Sequence, residues 1–236
     1  MDAKEPVLEA EFEKYLFYIT HDLKSAMRAI NTLPDWILAD LKDSQVQLPH
    51  DVMDHFGMLK DYASRVDRMM AGLTDWSRVG RMADAAVVHD IRVLVDIAWG
   101  ATPGTEGFQL TVDDATTEVC GPQNELLRLF GAVLSNCVVH HDRSVGKVSV
   151  RAETRDRRVH VTVTDDGPGL PKAFHHKAFE PLQTMMSKDE RPTAGMGLTV
   201  AQKIVRNMGG SIGFVPHSAT RGAIIEFDLP QTRLDA

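Results

Sequence analysis

Residues 18–30 read YITHDLKSAMRAI, and the apolar spacing through and beyond this stretch decides how the N-terminal part of the chain folds. Phe12, Leu16, Ile19, Leu23, Ala26, Ile30, Leu33 and Ile37 recur in alternating steps of four and three, the a/d pattern by which one helix presents a seam to another. In that register His21 takes the f position, turned away from the seam toward solvent, so it is not a core histidine. A histidine titrates near neutrality and can act as base, nucleophile or proton carrier, although most exposed histidines do none of these.

The same period extends on both sides. It predicts one helix from near Leu8 to near Asp43, a loop at DSQVQLPHD, and a second helix carrying Val52, Leu59, Tyr62, Val66, Met69, Leu73 and Trp76 at heptad spacing. Pro34 removes a backbone donor and crowds the preceding turn, so a kink is expected there. Two antiparallel helices with one seam each cannot close a core alone. Pairing with a second copy through residues 8–82 makes a four-helix bundle, and docking onto the rest of the chain is the alternative.

The chain has 236 residues, enough for one or two domains with a real core. Hydrophobic residues at 43% and charged residues at 25% match an ordinary soluble protein. The net charge of −7 opposes a sequence-independent grip on nucleic acid, which requires phosphate-neutralising Lys and Arg. Cys120 and Cys137 sit in apolar settings without CxxC spacing and read as reduced core residues. The acidic start MDAKEPVLEAEFEK is unlike a signal peptide. No run reaches the ~18 apolar residues of a membrane span, so a cytoplasmic location is expected.

After RMADAA the texture changes. AAVVH, FQLTV, TEVC, KVSVRAETR, RVHVTVTD, SIGFVP and GAIIEFDLP read as strands. Helices are expected at Ile91–Ala98, about Gln123–His140 and about Leu198–Met208. The expectation is a helical hairpin over residues 1–84 followed by a layered α/β sandwich over residues 85–236.

Four stretches in the second part carry chemistry. VTVTDDGPGL ends a strand in Asp165, whose carboxylate can accept from an exocyclic amine while Gly167 and Gly169 let the backbone approach a flat ring. A tight turn is the simpler account of this stretch taken alone. TAGMGLTVAQKIV opens a helix with Gly195 and Gly197, a ready phosphate cradle. Between them AFEPLQTMMSKDERPT holds Lys188 and Arg191 in a polar loop that can cover a polyphosphate. LLRLFGAVLSNCVVHHDR is a helix placing Asn136, an amide able to bind hydrated Mg²⁺, near its end.

Taken in order, these five segments resemble the sensor histidine kinase family. The opening stretch is similar to its H-box, LSNCVVHHDR to the N-box, DDGPGL to the G1 box, FEP to the F-box and GMGLTV to the G2 box, with HHDR and the long loop closest to phytochrome-associated kinases. The resemblance implies a dimerisation and histidine-phosphotransfer hairpin followed by a Bergerat-type (GHKL) ATP-binding sandwich. It implies that His21 accepts phosphate from ATP, with Asp22 taking the ring proton and Ser25 orienting water for dephosphorylation. It implies that Asn136, His140, Asp165, Gly167, Gly169, Lys188, Arg191, Gly195, Gly197 and Leu198 bind ATP, with Mg²⁺ on Asn136. The partners implied are a second copy, a response-regulator receiver domain and a separate sensor protein. The chain departs from the family at Ala26, usually proline, at Ala132, often asparagine, and at Val139, usually lysine. His140, His141, Lys188 and Arg191 are the candidates to replace that lysine at phosphate. A catalytically silent docking protein and a gyrase-type hydrolase are the competing readings. Ala132 stands where the hydrolase places its glutamate base and counts against the second.

Overall fold

The computed structural model describes residues 5–113, 117–183, 194–216 and 221–231. These divide into two compact units, one built on residues up to Ser77 and the other on residues from Arg78 onward.

The first unit is the expected hairpin. Helix α1 spans Glu5–Asp43 and runs through Pro34 without interruption, and α2 spans His50–Arg78. Asp51 in the first turn of α2 and Lys42 in the last turn of α1 suit the helix dipoles. The hairpin closes on Met27, Ala63 and Met70, which form its buried cluster. Lys60 Nζ donates to Asp35 Oδ1 across the two helices at 2.7 Å, a solvated pair that adds little stability.

The a/d stripe is not what the hairpin buries. Ile19 is 56% exposed, Leu23 49% and Leu33 46%, and on α2 Tyr62 is 63% exposed. The helices meet along the flank of the stripe, so these residues of it are left facing outward within the single chain.

The second unit is the α/β sandwich. Strand β1 (Ala86–Asp90) pairs antiparallel with β3 (Glu118–Pro122) in a small ribbon. The main sheet has five strands in the order β2 (Phe108–Asp113), β4 (Gly146–Arg155), β5 (Arg158–Asp165), β7 (Ile224–Pro230) and β6 (Ile212–Phe214). Only the β2–β4 pair is parallel. Helices α3 (Ile91–Ala101), α4 (Gln123–Val139) and α5 (Gly197–Asn207) cover one face. Strict alternation decides which face. Val148, Val150, Val159, Val161, Val163, Ile225 and Phe227 are buried, whereas Arg151, Glu153, Arg155 and His160 between them are not. Phe130 of α4 meets Phe227 edge-on at 5.7 Å.

Polar staples fasten the segment after α2 to α4. Gly80, at φ +81°, donates its N–H to the buried Glu125 Oε1 at 2.5 Å. Asn124 Nδ2 donates to the Met82 carbonyl at 2.9 Å. Among the described residues no helix is long and apolar enough to cross a membrane.

Candidate functional site

Asp165 closes β5, and both backbone donors it receives go to one oxygen. Oδ1 accepts from Gly167 N at 2.9 Å and from Ala223 N at 3.2 Å. Burial pushes the Asp165 carboxyl above the ordinary aspartate range, against the pull of those N–H groups. The buried Cys137 on α4 touches this carboxylate, and burial followed by the nearby Asp165 charge pushes its thiol well up. Cys137 is therefore expected to resist alkylation. Peptide mapping after iodoacetamide at pH 8 should find it modified on the order of a hundredfold more slowly in the folded than in the unfolded chain.

The glycines after Asp165 are required by close backbone approach. Gly169 adopts φ +76°, and a Cβ there would lie 2.5 Å from the Gly222 carbonyl oxygen. The F-box loop is fastened at its two ends in the same way. Leu182 N donates to the Gly195 carbonyl at 3.1 Å, and a Cβ on Gly195, at φ +65°, would sit 2.4 Å from the Gln183 carbonyl oxygen. Gly197 opens α5, and a Cβ there would find Ala132 of α4 at 3.9 Å.

Helix α4 thus joins the pieces. Ala132 adjoins the start of α5, Cys137 touches the end of β5, and Asn136 lies beside Cys137 on the helix. Asn136 is half-buried, and its side-chain amide makes no hydrogen bond with the described residues. The backbone N–H of His140 caps α4 on the Asn136 carbonyl at 3.2 Å. Leu198 is buried on α5. Lys188 and Arg191 lie outside the described residues.

On the hairpin, His21, Asp22 and Ser25 fall within α1, with Asp22 and Ser25 exposed. The His21 side chain is outside the described ones.

His141 is placed differently from the expectation that it substitutes at a phosphate. Its side chain is 1% exposed and packs edge-on to Phe108 at 5.1 Å. Nδ1 accepts from Arg143 N at 3.0 Å, leaving Nε2 to donate to Asp166 Oδ1 at 3.1 Å. Asp166 Oδ1 also accepts from Lys147 N at 2.7 Å. That N–H and then the imidazole hold the Asp166 carboxyl below its usual range. Next to it Arg221 grips Asp142 with two hydrogen bonds, of 2.7 and 3.1 Å, and reaches the Asp166 carbonyl at 3.3 Å. Asp142, Asp166 and Arg221 did not stand out in the sequence. Arg221 is 79 residues from Asp142, and no local spacing marks such a pair.

Chemically, the arrangement offers a carboxylate acceptor at a glycine-walled strand end, a half-buried amide, and a helix N-terminus suited to anions.

The histidine kinase-, DNA gyrase B- and HSP90-like ATPase family model matches residues 121–233. Cyanobacterial phytochrome A of Nostoc sp. is 23% identical over 224 residues, covering 94% of this chain and 29% of that protein. Sensor histidine kinases of Escherichia coli are among the other relatives. The full-length ShkA structure in complex with AMPPNP superposes with a TM-score of 0.67 at 18% identity, over 94% of this chain and 47% of that one. The histidine kinase ThkA in complex with the response regulator TrrA superposes with a TM-score of 0.63 at 18% identity, over 94% of this chain and 64% of that one. These likenesses show the shared fold. The chain spans about a quarter to a half of the length of the curated relatives it matches.

Proposed function

We propose that the chain, whose residues 121–233 match the histidine kinase-, DNA gyrase B- and HSP90-like ATPase family and which is similar to sensor histidine kinases over most of its length, is an ATP-dependent protein-histidine kinase. It phosphorylates itself on His21 and passes the phosphoryl group to a response-regulator aspartate. The observation that carries this reading is the Asp165 carboxylate, held at a glycine-walled strand end with both backbone donors on Oδ1, an acceptor suited to the amine of adenine. Incubation with γ-labelled ATP and Mg²⁺ tests it, the expected product being acid-labile, alkali-stable label on the protein.

In the proposed reaction one nitrogen of neutral His21 attacks the γ-phosphorus, the bond to the bridging oxygen breaks, and ADP leaves. Asp22 takes the proton from the other ring nitrogen. Neighbouring helix positions do not face each other, so this contact depends on side-chain rotamers. Ser25, four residues on, shares the His21 face and serves water during dephosphorylation of the partner. The start of α5 holds phosphate, and His140, Lys188 and Arg191 supply the positive charge that Val139 lacks.

Asn136 fits Mg²⁺. Its amide is half-buried, has no hydrogen bond among the described residues, and offers the hard oxygen this ion prefers. When bound, Mg²⁺ neutralises the triphosphate and the charge that develops in transfer.

The exposed stripe on the hairpin supports a homodimer. Ile19, Leu23, Ile30, Leu33 and Ile37 on α1, with Leu59, Tyr62 and Val66 on α2, are all exposed in one chain. An apolar stripe of this length calls for a partner. Light scattering at micromolar concentration should report about twice the 26.1 kDa chain mass, and Leu23→Glu should return the monomer mass. A wild-type monomer would remove the four-helix bundle.

A further inference from the structure

The buried imidazole behind the Asp165 turn has no part in the reaction proposed above. We propose that His141 is a positioning residue that sets the preference for an adenine-type base, by aiming Asp165 through Asp166. This rests on the reading of Asp165 as the acceptor of the base amine.

The geometry makes the link short and rigid. The His141 ring is held at Nδ1 by the Arg143 backbone, with its N–H at 3.0 Å and its carbonyl oxygen at 3.2 Å, and the carboxylate facing Nε2, which can only accept, calls for a hydrogen there. That hydrogen goes to Asp166 Oδ1 at 3.1 Å. The Arg221–Asp142 pair holds the carbonyl of the same residue at 3.3 Å. Asp166 is thereby held at both its side chain and its backbone, and it is the residue between Asp165 and Gly167. Those two are the ends of the tight turn in which Gly167 N binds Asp165 Oδ1 at 2.9 Å. The ring also walls the turn directly. A Cβ built on Gly167 would lie 3.2 Å from His141 Cδ2 and 3.0 Å from Asp165 Oδ1. Losing the imidazole leaves Asp166 Oδ1 on the Lys147 N–H alone, at 2.7 Å, which loosens the peptide on which Asp165 is aimed while leaving the Asp165 carboxylate chemically intact. A hydrogen bond to a ligand depends steeply on that aim, whereas phosphate and ring contacts made elsewhere do not. A loss confined to the contact with the base amine is the signature of positioning, and general loosening of the fold would not produce it.

The experiment measures, by titration calorimetry on the whole chain, the affinities of ATP analogues with and without the purine 6-amino group. The probes are AMPPNP and the matching purine-riboside triphosphate analogue. Wild type should prefer the amine-bearing probe, and Asp165→Asn should erase the preference. His141→Leu should cut the preference about fivefold to tenfold, mostly through the amine-bearing probe, the loss of one well-aimed hydrogen bond. His141→Gln, whose amide N–H can reach the same acceptor, should restore most of it. Asp166→Ala supplies a second test at an exposed side chain if His141→Leu does not fold, and should cut the preference by a similar factor.

If Asp165→Asn erases the preference while His141→Leu or Asp166→Ala keeps it, positioning by His141 is overturned and the nucleotide reading stands. Equal weakening of both probes in His141→Leu also overturns positioning, in favour of a purely structural role. A wild type with no preference, or one that Asp165→Asn leaves unchanged, overturns the reading of Asp165 and this inference with it.

Discussion

His21→Gln should carry no phosphoryl label after incubation with γ-labelled ATP and Mg²⁺, under conditions in which the wild type is labelled. The expected effect is complete, because the variant has no imidazole nitrogen to attack the γ-phosphorus and glutamine is not a nucleophile at neutral pH. The rest of the molecule should not notice. The heptad register puts position 21 off the seam, and a polar replacement on a helix surface changes stability by no more than about 0.5 kcal/mol. Fold, dimer mass and analogue affinity should match the wild type. Free phosphate measured beside the label separates the competing accounts. A hydrolase would release phosphate at similar rates with and without His21. A silent docking protein would take no label from ATP even as wild type, yet could still accept a phosphoryl group from a phosphorylated receiver. Label that persists in His21→Gln would remove this residue from the mechanism. The wild-type rate is expected to be slow, since Ala132 and Val139 stand where the family carries polar groups.

Asp165→Asn should weaken binding of a non-hydrolysable ATP analogue by about tenfold to a hundredfold. The substitution keeps the size of the side chain but replaces part of an acceptor with an N–H₂ donor that opposes the adenine amine. A mismatched buried pair of this kind costs roughly 1–3 kcal/mol, which is that range of affinity. The pH dependence carries the same information. Burial raises the Asp165 pKa, so acidification neutralises this carboxylate above the ordinary aspartate range. Amine binding should weaken through that interval in the wild type, and Asp165→Asn should lack that component. Unchanged affinity in the variant would mean that the end of β5 is only a structural turn.

Much of this protein is legible in one dimension because secondary structure follows local period. The four-three spacing through YITHDLKSAMRAI called for a long helix, and α1 is one. Period-two alternation in KVSVRAETR and RVHVTVTD marked β4 and β5 and also which of their residues face the helices. A helix expected over Gln123–His140 is observed at Gln123–Val139. The glycines of DDGPGL and GMGL could be picked out because their backbone neighbours leave no room for a Cβ, as at Gly169 and Gly195.

Tertiary structure alone decided what lies across the chain. Both helices of the hairpin carry an apolar stripe, and the stripe by itself does not say whether the two stripes face each other. Packing on Met27, Ala63 and Met70 leaves Ile19, Leu23 and Leu33 on one helix and Leu59, Tyr62 and Val66 on the other outward. The segment after α2 carries no spacing that marks a contact, yet Gly80 and Met82 are tied to residues of α4 more than forty positions away, Glu125 at a separation of 45. His141 looked like a spare cation beside His140, and becomes a buried donor only because β5 brings Asp166 to it from 25 residues away. Side-chain periodicity is written by neighbours one turn apart. A hydrogen bond between distant residues depends on where the folded backbone places two groups, and it leaves no spacing in the sequence by which to recognise it.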